Sequence, residues 1–217
     1  MFFPRSQVEI VDTWHVGGMR GTGSHDFQVD DLFVPMDRSI PAFASLGAQP
    51  GTLFRAPLIS LFVVALAAVT LGIARAALDA LYELAGTKTP MGSAVLLRDK
   101  PVAQSAAARA ESLVQAARAF VFSAIGEQWD EVAAGQRPSL EKRALIRLAC
   151  TYAGEACASA VDLAYNTAGG SALYESNRIE RCFRDIHAAT QHIGLTTNNY
   201  ELAGRVLFGL DPGTSRF

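Results

Sequence analysis

From Pro57 onward the chain consists of long apolar-rich segments separated by glycine and proline, and this punctuation limits the possible folds. Pro57 suits the first turn of a helix, and glycines follow each segment of roughly thirty residues. Helices of that length reach about 40 Å at about 1.5 Å per residue. We predict helices over residues 57–85, 100–134, 139–168 and 184–208, the last preceded by a short turn near 176–181.

Four long helices with short connections predict an antiparallel, up-and-down four-helix bundle, so the fold class is mainly α. Residues 7–36 differ, because Gln7–Val11 alternates weakly and His25–Pro35 holds two short strand-like runs. A β segment this short is not stable alone. It must therefore pack on the helices or belong to a larger domain. The predicted divisions are a β segment (1–36), a linker rich in proline and glycine (37–56) and the bundle (57–217).

The segment Leu58–Ala74 carries no charge and lies between Arg55 and Arg75. Its length is at the lower edge of a membrane span. Polar residues and many alanines dilute it, and the helical pattern continues into charged residues without a break. We therefore predict no membrane span, but a helix buried on all sides, within the bundle or at a subunit interface.

Composition argues against a nucleic-acid-binding protein and favours a cytoplasmic location. The net charge is -2, with no basic stripe, which argues against a nucleic-acid partner. Cys150, Cys157 and Cys182 lack C-x-x-C spacing, so we expect buried thiols in a reducing cytoplasm. The first residues show no secretory pattern, which agrees with a cytoplasmic protein.

Three glycine-containing stretches are candidate ligand sites, each with a structural alternative. Gly17–Ser24 is neither a Walker motif nor a dinucleotide fingerprint, so it is a structural turn or a backbone that approaches a flat ligand. Lys88 lies between two predicted helices, where it is solvated or pairs with a phosphate. The pair Gly169–Gly170 is a helix C-cap or exposes its amides to a ligand.

The segment 178–192 concentrates charged and titratable residues after that glycine pair. Its arginines recur every three residues, and for Asp185 we expect a buried Arg–Asp pair that locks the turn. His187 and His192 are five apart, so they do not share a helical face as metal ligands would, and we predict no metal site. Each histidine is a packing residue, a general base or a hydrogen-bond donor.

Two motifs resemble the acyl-CoA dehydrogenase superfamily. The stretch from Trp14 to Pro35, ending in Gly-Thr-Gly-Ser-His-Asp-Phe-Gln-Val-Asp-Asp-Leu-Phe-Val-Pro, resembles the end of that family's middle β domain. Asn166–Gly170 followed by Arg181-x-x-Arg184-Asp185 is similar to its Gln-x-x-Gly-Gly and Arg-x-x-Arg-Asp pattern. The resemblance implies that residues 57–217 are the C-terminal four-helix domain, which assembles into a homotetramer or dimer.

One departure separates the chain from the dehydrogenases. They carry a glutamate base nine residues after the second arginine, where this chain has Ile193. Phe183–His192 instead resembles the flavin-dependent monooxygenases that act as oxygenase components of two-component hydroxylases. There, a separate reductase supplies reduced flavin, which forms a C4a-hydroperoxide with O2 and hydroxylates an aromatic substrate. By this resemblance His192 is the candidate catalytic residue, supporting that intermediate or the substrate phenol.

The resemblance also assigns cofactor contacts. Lys88 stands where the family has an arginine that binds flavin phosphate, usually that of a neighbouring subunit. Asn166 replaces a glutamine near the dinucleotide, which leaves FMN and FAD both open. Gly169 and Gly170 match a backbone contact, and Trp14 lies near the flavin-binding part of the β domain.

The expected function is therefore the C-terminal portion of a flavin-dependent monooxygenase. In the family, a helical domain and most of a β barrel precede the part that this chain matches, so these 217 residues alone should be inactive. Two alternatives stay open: a fragment of an acyl-CoA dehydrogenase whose base lies elsewhere, and a non-catalytic oligomerisation module.

Overall fold

The computed structural model describes residues 1–40, 51–214 and 217, and within them the protein is mainly helical. Three long helices are followed by two short ones. Their bounds are α1 Leu58–Thr87, α2 Pro101–Ala133, α3 Leu140–Ala168, α4 Arg178–Ala189 and α5 Asn198–Leu207. The mainly α fold with a preceding β segment is confirmed, and the three long helices match their predicted bounds to within a few residues.

Local chemistry explains the helix ends. Pro101 occupies the first position of α2, and the Ser139 hydroxyl accepts the Lys142 N–H at 3.3 Å to cap α3. At the other end of α3, Gly169 has φ +56° and donates its N–H to Tyr165, a conformation that suits glycine. The Asn177 side chain accepts the Ile179 N–H at 2.9 Å and starts α4.

The core lies where α1, α2, α3 and α4 meet. On α2, Ala103, Ala110, Ala117 and Ala124 recur every seven residues and are all buried. Such small residues on one face let helices approach closely. The three cysteines are free and buried, and burial raises the pKa of the Cys150 and Cys157 thiols to about 12.

The prediction of one continuous fourth helix is wrong. The chain leaves the helical path after Ala189 and resumes it at Asn198. The physical reason is packing: Leu195 is buried in the core beside α1 and α3, which requires the backbone to turn inward. The turn residues 190–197 include a glycine and three threonines, which are weak helix formers.

The β segment forms a two-stranded antiparallel hairpin. Strand β1 (Glu9–Val11) pairs with β2 (Asp26–Gln28), with Ile10 opposite Phe27. The second strand-like run, near Leu32–Pro35, forms no strand, so that part of the prediction is wrong. In the predicted linker 37–56, residues 41–50 lie outside the described part, and Thr52–Arg55 form a single 3-10 turn. The three-part division itself stays a prediction.

Helix α1 carries no charge from Leu58 to Ala74, yet only one face of this part is covered. By length and composition it could cross a membrane, but core helices of soluble proteins also meet that criterion. It packs on α3 and α4, whereas only 28% of its most apolar window is buried. The prediction of a helix buried on all sides within the bundle is therefore wrong for this chain, and the subunit-interface alternative stays open.

Candidate functional site

One group of candidate residues lies at the C-terminal end of α3, and we name Lys88, Ala168, Gly169 and Gly170 the helix-end cluster. The Lys88 ammonium donates to the Ala168 carbonyl at 2.5 Å. A cation there satisfies an otherwise open carbonyl and faces the negative end of the helix dipole. Both glycines are exposed, and a Cβ on Gly169 would lie 3.9 Å from the Lys88 Nζ. The cluster thus combines a held cation with accessible backbone.

Asn166 lies one turn earlier and lines a groove of about 530 Å³ between α2 and α3. Ser105 and Arg109 face the same groove from successive turns of α2. We find no ion pair for Arg109 among the described residues. Sequence reasoning missed Arg109, although an arginine four residues after a serine on an alanine-rich helix was a usable signal.

His192 occupies the turn between α4 and α5. Its side chain is exposed, and Nδ1 accepts the Gly194 backbone N–H at 3.1 Å. Ile193 is 72% exposed beside it. Gly194 is buried against α1, where a Cβ would lie 2.9 Å from Leu66 Cδ1 and 3.1 Å from Val63 Cγ1. The turn therefore presents an imidazole next to the apolar N-terminal half of α1.

A buried polar pair braces this turn from α3 and α5. The Asn199 amide nitrogen donates to the carbonyls of Ile193 and Thr196, at 3.2 and 2.9 Å. Its oxygen accepts from the Arg147 guanidinium at 2.9 Å, and burial lowers the Arg147 pKa. The bond from the charged Arg147 guanidinium is stronger than a neutral one and fixes the Asn199 amide, which in turn holds the backbone around Ile193.

The Gly17–Ser24 loop is held against α4. The Asp185 carboxylate accepts the Met19 N–H at 2.6 Å, and Arg184 donates to the Gly17 carbonyl at 2.7 Å. The prediction that Asp185 pairs with an arginine is wrong. The neighbouring Arg184 pairs instead with Glu180 at 2.6 Å, within α4. Asp185 does lock a turn, but one that lies 166 residues earlier in the chain.

Trp14 belongs to the same docked loop. Its indole N–H donates to the Met19 carbonyl, and its backbone N–H donates to His25, both at 3.2 Å. The indole nitrogen is thus occupied, and only the half-buried ring is left for contact with another group.

The structure does not bring the six predicted residues into one place. A Cβ on Gly154 of α3 would lie 3.6 Å from the Cβ of Leu195 in the His192 turn, while Gly169 ends the same helix. Gly154 lies in the middle of α3, and the fifteen-residue step from it to Gly169 is about 22 Å along the helix axis. One group therefore contains Lys88, Asn166, Gly169 and Gly170. His192 lies apart from it as a second group, and Trp14 belongs to the loop that docks on α4. A single flavin ring system is too short to contact both groups of residues.

His187 belongs to neither group. Its Nε2 lies 2.9 Å from the Asp162 carboxylate, and its ring contacts Phe183 edge-on. The described residues contain no cluster of three or more potential metal ligands.

The long helices, the helix-end cluster and the turn after α4 together define an acyl-CoA dehydrogenase type of helical domain. Residues 64–197 match the family model described as acyl-CoA dehydrogenase, C-terminal domain. Since that match covers more than half of the chain, the protein belongs to this family.

Several proteins similar to this chain are monooxygenases. An indole-3-acetate monooxygenase from Pseudomonas putida is 35% identical over 96% of this chain and 54% of its own length. The flavin-dependent monooxygenase, oxygenase subunit HsaA, from Mycobacterium tuberculosis strain H37Rv is 30% identical over 97% of this chain and 56% of its own. The structure of XiaF from Streptomyces sp., in complex with FADH2 and glycerol, superposes with a TM-score of 0.89 at 30% identity, covering 97% of this chain and 55% of that one. The chain thus spans about half the length of the relatives that it matches.

Proposed function

We propose that this chain is the C-terminal portion of a flavin-dependent monooxygenase that hydroxylates an aromatic or related substrate. The observation that carries the proposal is the turn after α4, which holds His192 and Ile193 and contains no carboxylate. The dehydrogenases that this segment departs from keep a carboxylate base in this turn to abstract an α-proton from an acyl thioester, whereas a monooxygenase needs a group that binds a reacting oxygen. The named activities of the relatives agree with the second reaction.

The residues present fit a flavin that carries phosphate. The Lys88 ammonium has two further N–H bonds beyond the one to Ala168, and Arg109 adds a second cation near Asn166. When bound, reduced flavin supplies the electrons that activate O2. We infer that the helix-end cluster, Asn166 and Arg109 hold the phosphate-bearing tail, and that Trp14 offers a ring face.

The distance between the two groups of residues favours reduced FAD over FMN. A dinucleotide is longer than a mononucleotide, so it reaches further from a phosphate held at the helix-end cluster. The alternative is that each group serves a different flavin in an assembly of subunits. FADH2 in the XiaF structure also supports reduced FAD.

His192 and α1 define the substrate side of the proposal. Leu58–Ala74 supplies no charge, and Val63 and Leu66 lie directly against the His192 turn. An apolar wall next to one imidazole suits an aromatic substrate, which is flat and weakly polar. The apolar surroundings would also limit water at that position.

A reductase and further copies of the chain are the proposed partners. The printed name of HsaA, an oxygenase subunit, supports a separate reductase that delivers the reduced flavin. The exposed apolar face of α1 supports a homotetramer or dimer. Three free, buried thiols support a cytoplasmic location.

The proposed function is tested with a protein that contains this chain and the part matched by the other half of its relatives. Supplied with FAD, NADH, a flavin reductase and indole-3-acetate or a phenol, it should consume O2 and yield a product heavier by one oxygen atom. The product is identified by mass spectrometry with 18O2. Bleaching of bound FAD by an acyl-CoA alone would establish the dehydrogenase instead. Absence of flavin binding would leave the oligomerisation module.

A further inference from the structure

The hydrogen bond between Gly194 and His192 has only one possible direction. A backbone N–H can only donate, so the His192 Nδ1, 3.1 Å away, accepts with its lone pair. A neutral imidazole carries one N–H, and its proton must then lie on Nε2. We find no protein acceptor for Nε2 among the described residues, and the side chain is exposed. Nε2–H is therefore free to donate to a ligand.

Close packing keeps the Gly194 amide in position. Leu195 is buried in the core, and Gly194 lies against Val63 and Leu66, so a Cβ there would have to displace the ends of those side chains. The same Cβ would also lie 3.3 Å from Nδ1 of His192. A side chain at this position would have to move Leu66, Val63 and the imidazole away from the backbone, so glycine keeps these contacts without displacement.

We propose that Gly194 is a positioning residue that fixes His192 as its Nε2–H tautomer, so that His192 donates a hydrogen bond to a reacting oxygen. A general base needs a free lone pair, and here Nδ1 already accepts from Gly194 while Nε2 carries the proton. The ring could not take a proton from a substrate hydroxyl without first breaking the bond to Gly194. This assignment of a donor role rests on the proposed monooxygenase function, whereas the tautomer does not.

The tautomer is measured without any catalytic turnover. In protein labelled with 15N, we expect a pyridine-type shift for the His192 Nδ1 and a coupling across the hydrogen bond to the Gly194 amide. His192→Gln identifies the signals by their loss. A proton found on Nδ1, or a missing coupling with Nδ1 exposed to water, would overturn the proposal.

Two replacements of His192 then distinguish a hydrogen-bond donor from a general base. Gln keeps an N–H donor without a base, and Asp keeps a base without a donor at neutral pH. We expect His192→Gln to retain hydroxylation within about 10-fold, and His192→Asp to lose about 100-fold and release H2O2 instead. The opposite order contradicts a donor role, and so does full activity in both variants.

The glycine is tested with a matched pair of variants. Gly194→Ala should displace the imidazole, remove the coupling and lower the hydroxylated fraction of the O2 consumed about 10-fold, with little change in KM. Gly204→Ala is the control, because a Cβ there meets nothing within 4 Å. The double variant Gly194→Ala with Leu66→Ala relieves the closest contact, so it should recover part of the signal if misfolding is not the cause.

Failure of this inference differs from failure of the proposed function. If the wild-type protein hydroxylates no aromatic substrate but shows the Nε2–H tautomer, the reaction class is wrong and the positioning by Gly194 stands. If it hydroxylates and Gly194→Ala leaves both coupling and product yield unchanged, the inference is wrong and the function stands.

Discussion

Gly18 is the residue on which docking of the β segment depends most directly. A Cβ at this position would lie 2.0 Å from the Arg184 carbonyl oxygen, which is backbone and cannot move aside. The neighbouring bonds, from Met19 N–H to Asp185 and from Arg184 to the Gly17 carbonyl, need that close approach.

We predict that Gly18→Ala separates the loop from α4. The cost should be about 1–3 kcal/mol, as for other overpacked sites, and the segment before Gly21 should become sensitive to protease. Gly17→Ala serves as the control, since nothing lies within 4 Å of its Cβ. Limited proteolysis and thermal unfolding measure both. Equal behaviour of the two variants would contradict a tight contact at Gly18.

Lys88 has a structural and a proposed functional role, and two substitutions separate them. Lys88→Met removes the bond to the Ala168 carbonyl and should cost about 1 kcal/mol of stability. It should also weaken flavin binding about 10-fold, measured by titration calorimetry. Lys88→Arg keeps the charge and should retain most of the affinity. If Lys88→Met unfolds earlier yet binds flavin normally, Lys88 is only a helix cap.

At the scale of elements, a charged network joins α1 to α2. Arg75 Nη1 donates to both oxygens of Glu111, at 3.0 and 2.7 Å, and Tyr82 donates to the same carboxylate at 3.1 Å. Gln115 donates to it at 2.8 Å. The hydrogen bonds from Gln115 and then from Arg75 lower the Glu111 pKa below its ordinary value of 4.5.

This lowered pKa predicts a pH dependence with a definite sign. The stabilisation is present above the unfolded-state pKa of about 4.5 and is lost as the pH falls through the lower folded-state value. Glu111→Gln should therefore destabilise the protein by about 0.5–1 kcal/mol at pH 7, since the pair is partly exposed, and by almost nothing near pH 3. Denaturant titrations at both pH values provide the measurement. A constant difference would exclude this carboxylate as the cause.

The ends of the long helices could be predicted because their causes are local. A proline in a first turn, a serine cap and a glycine with positive φ act within a few residues of one another. The turn at 190–197 could not be predicted in the same way. Leu195 leaves the helical path because it packs on α1 and α3, which are distant in sequence.

At the scale of the whole molecule, an apolar stripe on α1 faces outward. Phe62 is 57% exposed and Val69 42% exposed, and they lie seven residues apart on one face, with Ala65 between them. An exposed apolar face of this kind is typical of an interface. Since the relatives are about twice as long, further chain from the same protein could also cover it.

We predict that Val69→Glu breaks the proposed oligomer into smaller species. A carboxylate in a closed apolar interface is costly to bury, so dissociation should increase at least about 100-fold. Leu207→Glu, at an exposed site of α5, is the control and should not change the mass. Light scattering after size exclusion measures both. An unchanged mass for Val69→Glu, or a monomeric wild type, contradicts an interface between copies.

The sequence by itself determined the helical class, the lengths of α1–α3, the absence of a carboxylate after α4 and the residues worth testing. Those properties follow from periodicity, capping and residue identity, which are local. Only the tertiary structure decided that Asp185 holds Met19, that Lys88 caps α3 and that the turn of His192 packs near the middle of α3, away from the helix-end cluster. It also decided that the Gly194 N–H donates to the His192 Nδ1, because this contact depends on how a turn packs against α1.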